Sequence, residues 1–231
     1  MKMSALLGIL VICFWGCSPK SSKKDTAVEQ PSSYSYLALG DSYTIGESVP
    51  EPLRWPVQLA NQLTEKGVSI STPRIIATTG WTTDELQQAL DKADIRQTYD
   101  LVSLLIGVNN QYRGYAFDQY EKEFTELLNT AIQLANYDTQ KVFVVSIPDY
   151  GVTPFGQKKD PQKIAVELDR YNAKAREITE DRGVLYINIT DISKKALGDL
   201  TLVAEDQLHP SGKMYSQWVE RILPEVIPAF Q

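Results

Sequence analysis

One histidine and two cysteines are all that this chain of 231 residues holds of the usual nitrogen and sulfur metal ligands. Zinc and related centres draw mainly on clusters of those residue types, and no spaced acidic loop of the calcium-binding kind replaces them. No metal and no cofactor is therefore expected. Basic residues are also short: 23 against 29 acidic ones give a net charge of -6 and a pI of about 4.9. A nucleic-acid partner would want a basic face, so that class is excluded. A neutral sugar or ester is not. No apolar run reaches the roughly 20 residues that a helix needs to cross a bilayer. Disorder is excluded as well, because 43% of residues are hydrophobic and only 23% charged.

What is present begins with an N-terminus that does not read as part of a fold. Lys2 precedes the apolar stretch Ala5 to Trp15, which ends in Gly16-Cys17. A basic start, a short apolar run and a small residue at its end predict a secretory signal over residues 1–16. Cys13 would be lost with it, leaving Cys17 as the one cysteine and excluding an intramolecular disulfide. A lone cysteine at the start of an exported chain resembles a bacterial lipoprotein, in which that thiol carries lipid. Gly16 fits the lipobox of that class, whereas Phe14 stands where Leu is usual. Several acyl chains on one residue anchor firmly, where a single chain binds only marginally. Residues 17–33 then read as a lipid-anchored linker. Its Ser-, Lys- and Pro-rich part from Ser18 spans roughly 20–25 Å as a random coil. The expected place is the bacterial cell envelope, on the periplasmic or the cell-surface side, with the membrane reached through Cys17.

Residues 34–231 read as one domain of about two hundred residues, large enough for a sizeable core. Short apolar runs alternate with helical spacing. Strands are expected at Tyr36–Leu39, Arg74–Ala77, Leu101–Ile106, Lys141–Ile147 and Val184–Ile189. Helices are expected over Trp55–Lys66, from a Thr83-Asp84 cap to Ala93, and over Tyr115–Ala135, Lys163–Asp181 and Ser211–Leu223. Leu101 to Ile106 is apolar except for Ser103, as befits the middle of a parallel sheet. Five strands alternating with helices predict a three-layer α/β/α sandwich around a five-stranded parallel sheet. Ligands in such folds sit at the carboxyl ends of the strands.

Those ends carry chemistry. The first strand runs into Gly40-Asp41-Ser42-Tyr43, where a serine sits at a turn toward a helix. A serine hydroxyl is a weak nucleophile and needs a base within hydrogen-bond reach. The single imidazole, His209, stands in Asp206-Gln207-Leu208-His209 near the end of the chain. A carboxylate three residues earlier can reach the ring across one turn and hold its tautomer. The second strand ends near Gly80-Trp81 and the third near Gly107-Val108-Asn109-Asn110. A glycine N–H and an asparagine amide are suitable donors to a developing oxyanion.

In that order the four blocks resemble the SGNH, or GDSL-type, hydrolases, over a stretch from about Tyr36 to His209. The resemblance implies a flavodoxin-like fold and ester hydrolysis without a metal. It casts Ser42 as nucleophile, His209 as acid and base, and Asp206 as the group that orients the ring. The oxyanion hole would be the N–H groups of Ser42 and Gly80 with the Asn109 side chain. Two positions depart from the pattern: Tyr43 follows the serine where Leu is usual, and Asn110 replaces an Asp.

Tyr43, Trp81 and Tyr112 lie beside these blocks and are the expected substrate contacts. Trp55 reads rather as packing and Arg113 as a solvated charge. The loop Asp149 to Asp160 should reach the same edge, with Tyr150, Pro154 and Phe155 as a wall or lid. The expected function is hydrolysis of small acyl esters, such as O-acetyl groups on carbohydrate or short-chain lipid esters or thioesters. An acyltransferase with the same triad is the alternative among enzymes. A non-catalytic carbohydrate-binding lipoprotein is the alternative outside them, though a binding module has no need of a triad.

Overall fold

The computed structural model describes residues 33–231. The expected signal, Cys17 and the linker up to residue 32 lie outside the described residues. Five strands form one sheet: β1 (Tyr36–Gly40), β2 (Arg74–Ala77), β3 (Leu101–Leu105), β4 (Val142–Val145) and β5 (Leu185–Ile187). Every pairing is parallel, in the order β2-β1-β3-β4-β5. All residues of the three central strands are buried, whereas the edge strands β2 and β5 are only partly so. That gradient is why the central runs read as nearly unbroken apolar segments. Ser103, the exception in β3, is buried with its hydroxyl 2.9 Å from that of Tyr36, so each polar tip satisfies the other.

The helices are α1 (Ser42–Ile45), α2 (Trp55–Glu65), α3 (Thr83–Lys92), α4 (Val108–Tyr112), α5 (Phe117–Leu134), α6 (Pro161–Glu180), α7 (Thr190–Lys194) and α8 (Gly212–Val226). α2 packs on α8, and α5 packs on both α3 and α6, which gives the expected three layers. Trp55 is fully buried and stands edge-on to Phe143 of β4. A second aromatic group, Phe117, Tyr120, Phe124 and Tyr171, joins α5 to α6.

Most helix ends shift by one or two residues from the expectation, α5 starting at Phe117 and α6 at Pro161, and two of the differences have a clear physical reason. α3 is capped one residue earlier, by Thr82, whose N–H donates to Glu85 Oε2 at 2.9 Å. The Thr-x-x-Glu spacing of a capping box outweighs the Thr83-Asp84 pair. α8 runs through Pro224 to Val226 instead of stopping at Leu223. Proline there removes the bond to the carbonyl of Glu220, and Glu220 is exposed, so water can serve that carbonyl.

From β1 the chain moves to β2 on one side, and β3 then lies on the other. The carboxyl ends of β1 and β3 therefore part at a topological switch point, where ligand crevices form in open α/β sheets.

Candidate active site

Ser42 is the first residue of α1, directly beyond β1. Gly40 lets the chain turn there, since a Cβ at that position would strike the Thr44 hydroxyl and the Leu105 carbonyl. Asp41 caps α1, its Oδ1 accepting the Tyr43 N–H at 3.0 Å. Burial pushes the Asp41 carboxyl up to about 7, although the Tyr43 N–H pulls the other way. Its second oxygen, Oδ2, is buried without a protein partner.

The turn from Asp206 to His209 folds back on itself around Gln207, whose φ is 65°. Asp206 Oδ1 accepts the N–H groups of Leu208 and His209, both at 2.9 Å. Asp206 Oδ2 lies 2.6 Å from His209 Nδ1 and also accepts the Ser48 hydroxyl at 2.7 Å. Partial burial alone would raise this carboxyl. The hydrogen bonds from Ser48, His209 and the two backbone groups outweigh it and hold the group at about 2. An ionised Asp206 fixes the imidazole by Nδ1 and leaves Nε2 for other work.

Beyond β3, Gly107 adopts φ 124° and starts α4. A Cβ there would sit 2.6 Å from the Tyr120 ring, so this turn and the packing of α5 both require glycine. Asn109 follows, one of its amide hydrogens going to the Trp81 carbonyl at 2.9 Å. The other remains free to donate. Gly80, at φ 88°, presents its carbonyl to Arg113 Nη2 at 2.5 Å. Arg113 also meets Glu85 at 3.2 Å, so this exposed cation holds the Gly80 loop in place.

Asn110 has a structural account. It is fully buried; its Oδ1 accepts the Thr83 N–H at 3.1 Å and its Nδ2 donates to Thr83 Oγ1 at 2.7 Å. Thr83 Oγ1 in turn donates to Glu123 at 2.5 Å. A carboxylate at 110 could not donate, and its charge would compete with Glu123 for the one Thr83 hydroxyl proton. The amide therefore suits the neighbour that this chain carries at 123, and it ties α4 to the start of α3.

These segments surround a cavity of about 160 Å³ lined by Ser42, Tyr43, Val108, Asn109, Tyr112, Tyr150, Phe155, Leu208 and His209. Ser42 and His209, from opposite ends of the chain, thus share one wall. Their side chains are not hydrogen-bonded to each other here, and such contacts often tighten only when substrate is bound. Tyr43 stands edge-on to the His209 ring at 5.7 Å. Tyr112 is half exposed at the mouth, in contact with Tyr150 and Phe155.

Trp81, an expected substrate contact, does not line this cavity. Its ring is half-buried against the core, because the chain turns at once into the buried Thr82 cap, and its carbonyl serves Asn109 instead. Of the loop after β4, Tyr150 and Phe155 reach the wall but Pro154 does not. The Phe155 N–H donates to the Gln207 carbonyl at 3.0 Å, which fastens that loop to the histidine turn. Leu208 and Val108 were not legible as wall residues. Their signal is adjacency to the two blocks, which apolar side chains do not advertise. Ser48 and Gln111 were missed for a different reason: each acts through another side chain, Asp206 for Ser48 and the Tyr150 hydroxyl, at 3.0 Å, for Gln111.

Residues 38–217 match the GDSL-like lipase/acylhydrolase family. The chain belongs to that family. Its activity is accordingly ester hydrolysis, and the order Ser42, Asn109, His209 falls within the matched span. No curated protein matches this acylhydrolase. Among solved structures it is similar to TesA at a TM-score of 0.67 and 16% identity, over 84% of this chain and 99% of the other. It is also similar to the psychrotrophic esterase EstA of Pseudoalteromonas sp., at a TM-score of 0.62 and 18% identity over 84% and 96%. The acetylxylan esterase Axe2 of Geobacillus stearothermophilus gives 0.62 and 20% over 84% and 94%. At such identities these likenesses speak to the fold.

Proposed function

We propose that this acylhydrolase cleaves esters of short acyl groups through an acyl-enzyme on Ser42, with His209 as acid and base and Asp206 as its orienting carboxylate. The observation that carries the reading is the Asp206–His209 contact of 2.6 Å, on an imidazole that shares a cavity wall with Ser42. Nδ1 is committed to Asp206, so Nε2 takes the Ser42 proton as Oγ attacks the ester carbonyl. The carbonyl π bond opens to an oxyanion. The free Asn109 hydrogen and the N–H groups of Gly80 and Ser42 supply donors for it; removing one such donor costs about 2.7–4 kcal/mol of transition-state stabilisation. His209 then returns its proton to the departing alcohol oxygen. A water, deprotonated by the same nitrogen, attacks the acyl-enzyme, and the acid leaves as Ser42 recovers its proton.

Size supports a short acyl group. A dry cavity of about 150 Å³ holds a ligand the size of benzene, so a space of similar volume suits a few carbons beyond the carbonyl. Val108, Tyr150, Phe155 and Leu208 make its walls apolar. The half-exposed Tyr112 ring at the mouth offers a stacking face for a sugar bearing the ester, in keeping with O-acetyl carbohydrate as substrate. We also propose that the chain is held at a membrane through a lipid on Cys17, which the basic start, short apolar run and Gly16-Cys17 junction support.

The test is a series of p-nitrophenyl esters from acetate to octanoate, with the wild type and the Ser42→Ala and His209→Ala variants. The reading expects the highest kcat/KM at acetate to butyrate and a fall by octanoate. Either substitution should lower turnover about 10³-fold or more with the fold intact. Near-wild-type turnover by Ser42→Ala removes the mechanism, and a preference for octanoate removes the substrate class.

A further inference from the structure

Asp206 makes four hydrogen bonds, and three of them come from its own turn: the N–H groups of Leu208 and His209 and the His209 ring. The fourth comes from Ser48, far away in sequence, whose hydroxyl donates at 2.7 Å to the same oxygen that meets His209 Nδ1. The segment that carries Ser48 hangs directly from Ser42. The N–H groups of Gly46 and Glu47 both donate to the Ser42 carbonyl at 3.0 Å, and Val49 closes the turn onto Gly46 at 3.3 Å. Ser48 itself adopts φ 63°, a left-handed conformation that a residue with a side chain rarely takes and that aims its hydroxyl at Asp206. Glu47, beside it, accepts the Thr79 hydroxyl, next to the Gly80 loop.

We infer that Ser48 is a positioning residue for catalysis: through its hydrogen bond it sets the plane of the Asp206 carboxylate, and so the approach of His209 to Ser42. This rests on the proposed Ser42–His209–Asp206 triad. The turn 46–49 is bonded at one end to the backbone of the nucleophile and at the other to the carboxylate that steers the base. No other side chain among the described residues donates to Asp206 from outside its own turn. A shift of the Ser42 segment is thereby carried to the acid–base segment, which keeps the two in register although they lie at opposite ends of the chain.

The experiment is a double-mutant cycle on p-nitrophenyl acetate with Ser48→Ala, Asp206→Asn and both together. Ser48→Ala should lower kcat about tenfold, the loss expected of one charge-assisted hydrogen bond felt in the transition state. KM should stay within about twofold, because Ser48 does not line the cavity. In the Asp206→Asn background the Ser48 substitution should cost little more, since its route of action is already cut. Ser48→Gly, which suits the left-handed backbone and removes the hydroxyl together with the Cβ, should match Ser48→Ala. The single histidine adds a direct readout: the imidazole Nδ1–H resonance of His209 should move in Ser48→Ala. A wild-type kcat in Ser48→Gly, or a loss that adds in full to that of Asp206→Asn, overturns the inference while leaving the triad standing. An Asp206→Asn enzyme as active as wild type overturns both.

Discussion

Asp41 precedes Ser42 in the chain and Asp206 holds the His209 ring, and their surroundings drive the two carboxyls in opposite directions. Asp206 is held at about 2, below the ordinary value of about 3.9 for an unfolded chain. Its hydrogen bonds therefore stabilise the fold above that ordinary value, and the contribution fades as pH falls toward 2. Burial has pushed Asp41 up to about 7. The fold then disfavours its ionised form, so stability drops as pH rises from about 4 to about 7 and levels off beyond. Asp41→Asn keeps an oxygen for the Tyr43 N–H and removes the titration. The difference in Tm between variant and wild type should thus shift in favour of the variant by on the order of ten degrees from pH 4 to pH 8, since a carboxyl raised from about 3.9 to about 7 carries about 4 kcal/mol of linkage. Melting curves at several pH values check this. A Tm difference that stays constant over the range contradicts the assigned burial of the charge.

At the scale of elements, the long and strongly patterned segments were legible and the single-turn ones were not. The central strands announced themselves because both faces are covered, which leaves no polar alternation to confuse with a helix. α5 and α6 were legible from spacing alone. The short helices α1, α4 and α7 span four or five residues each, too few for any periodicity; the Asp41 cap fixes α1, while bonds to other elements, Asn110 to Thr83 and the Thr190 N–H to Ser146, fix α4 and α7. Two of those three carry the site: Ser42 lies in α1 and Asn109 in α4. The blocks themselves could be read because they combine special backbone needs with chemical groups, as in Gly107-Val108-Asn109. Their supports could not. Ser48 reaches Asp206 across most of the chain, and the Asn110–Thr83–Glu123 bonds join three separate helices. Nothing local in the sequence marks such partners. Trp81 lies off the cavity lining for a similar reason: its neighbour Gly80 signals a loop, but its ring packs against the core.

At the scale of the whole molecule, the parallel sheet gathers the loops after β1, β2, β3 and β4, together with the segment before α8, at one edge. Since Ser42 and His209 come from the first and last of these, the proposed mechanism requires the complete domain to be folded. The proposed lipid on Cys17 has its own test. Wild-type protein expressed in a bacterial host should enter the detergent phase on partitioning, and Cys17→Ser should leave it aqueous or unprocessed. A wild-type protein wholly in the aqueous phase and uncleaved before Cys17 removes the anchor. The central claim is that one serine takes the acyl group with the help of the one histidine. Its most direct test is the mass of the protein after exposure to an esterase-directed p-nitrophenyl phosphonate. The account predicts a single adduct, located on the peptide that contains Ser42, absent from Ser42→Ala and formed far more slowly by His209→Ala. An adduct on another residue, or undiminished ester hydrolysis by a protein that takes up no label, would contradict it.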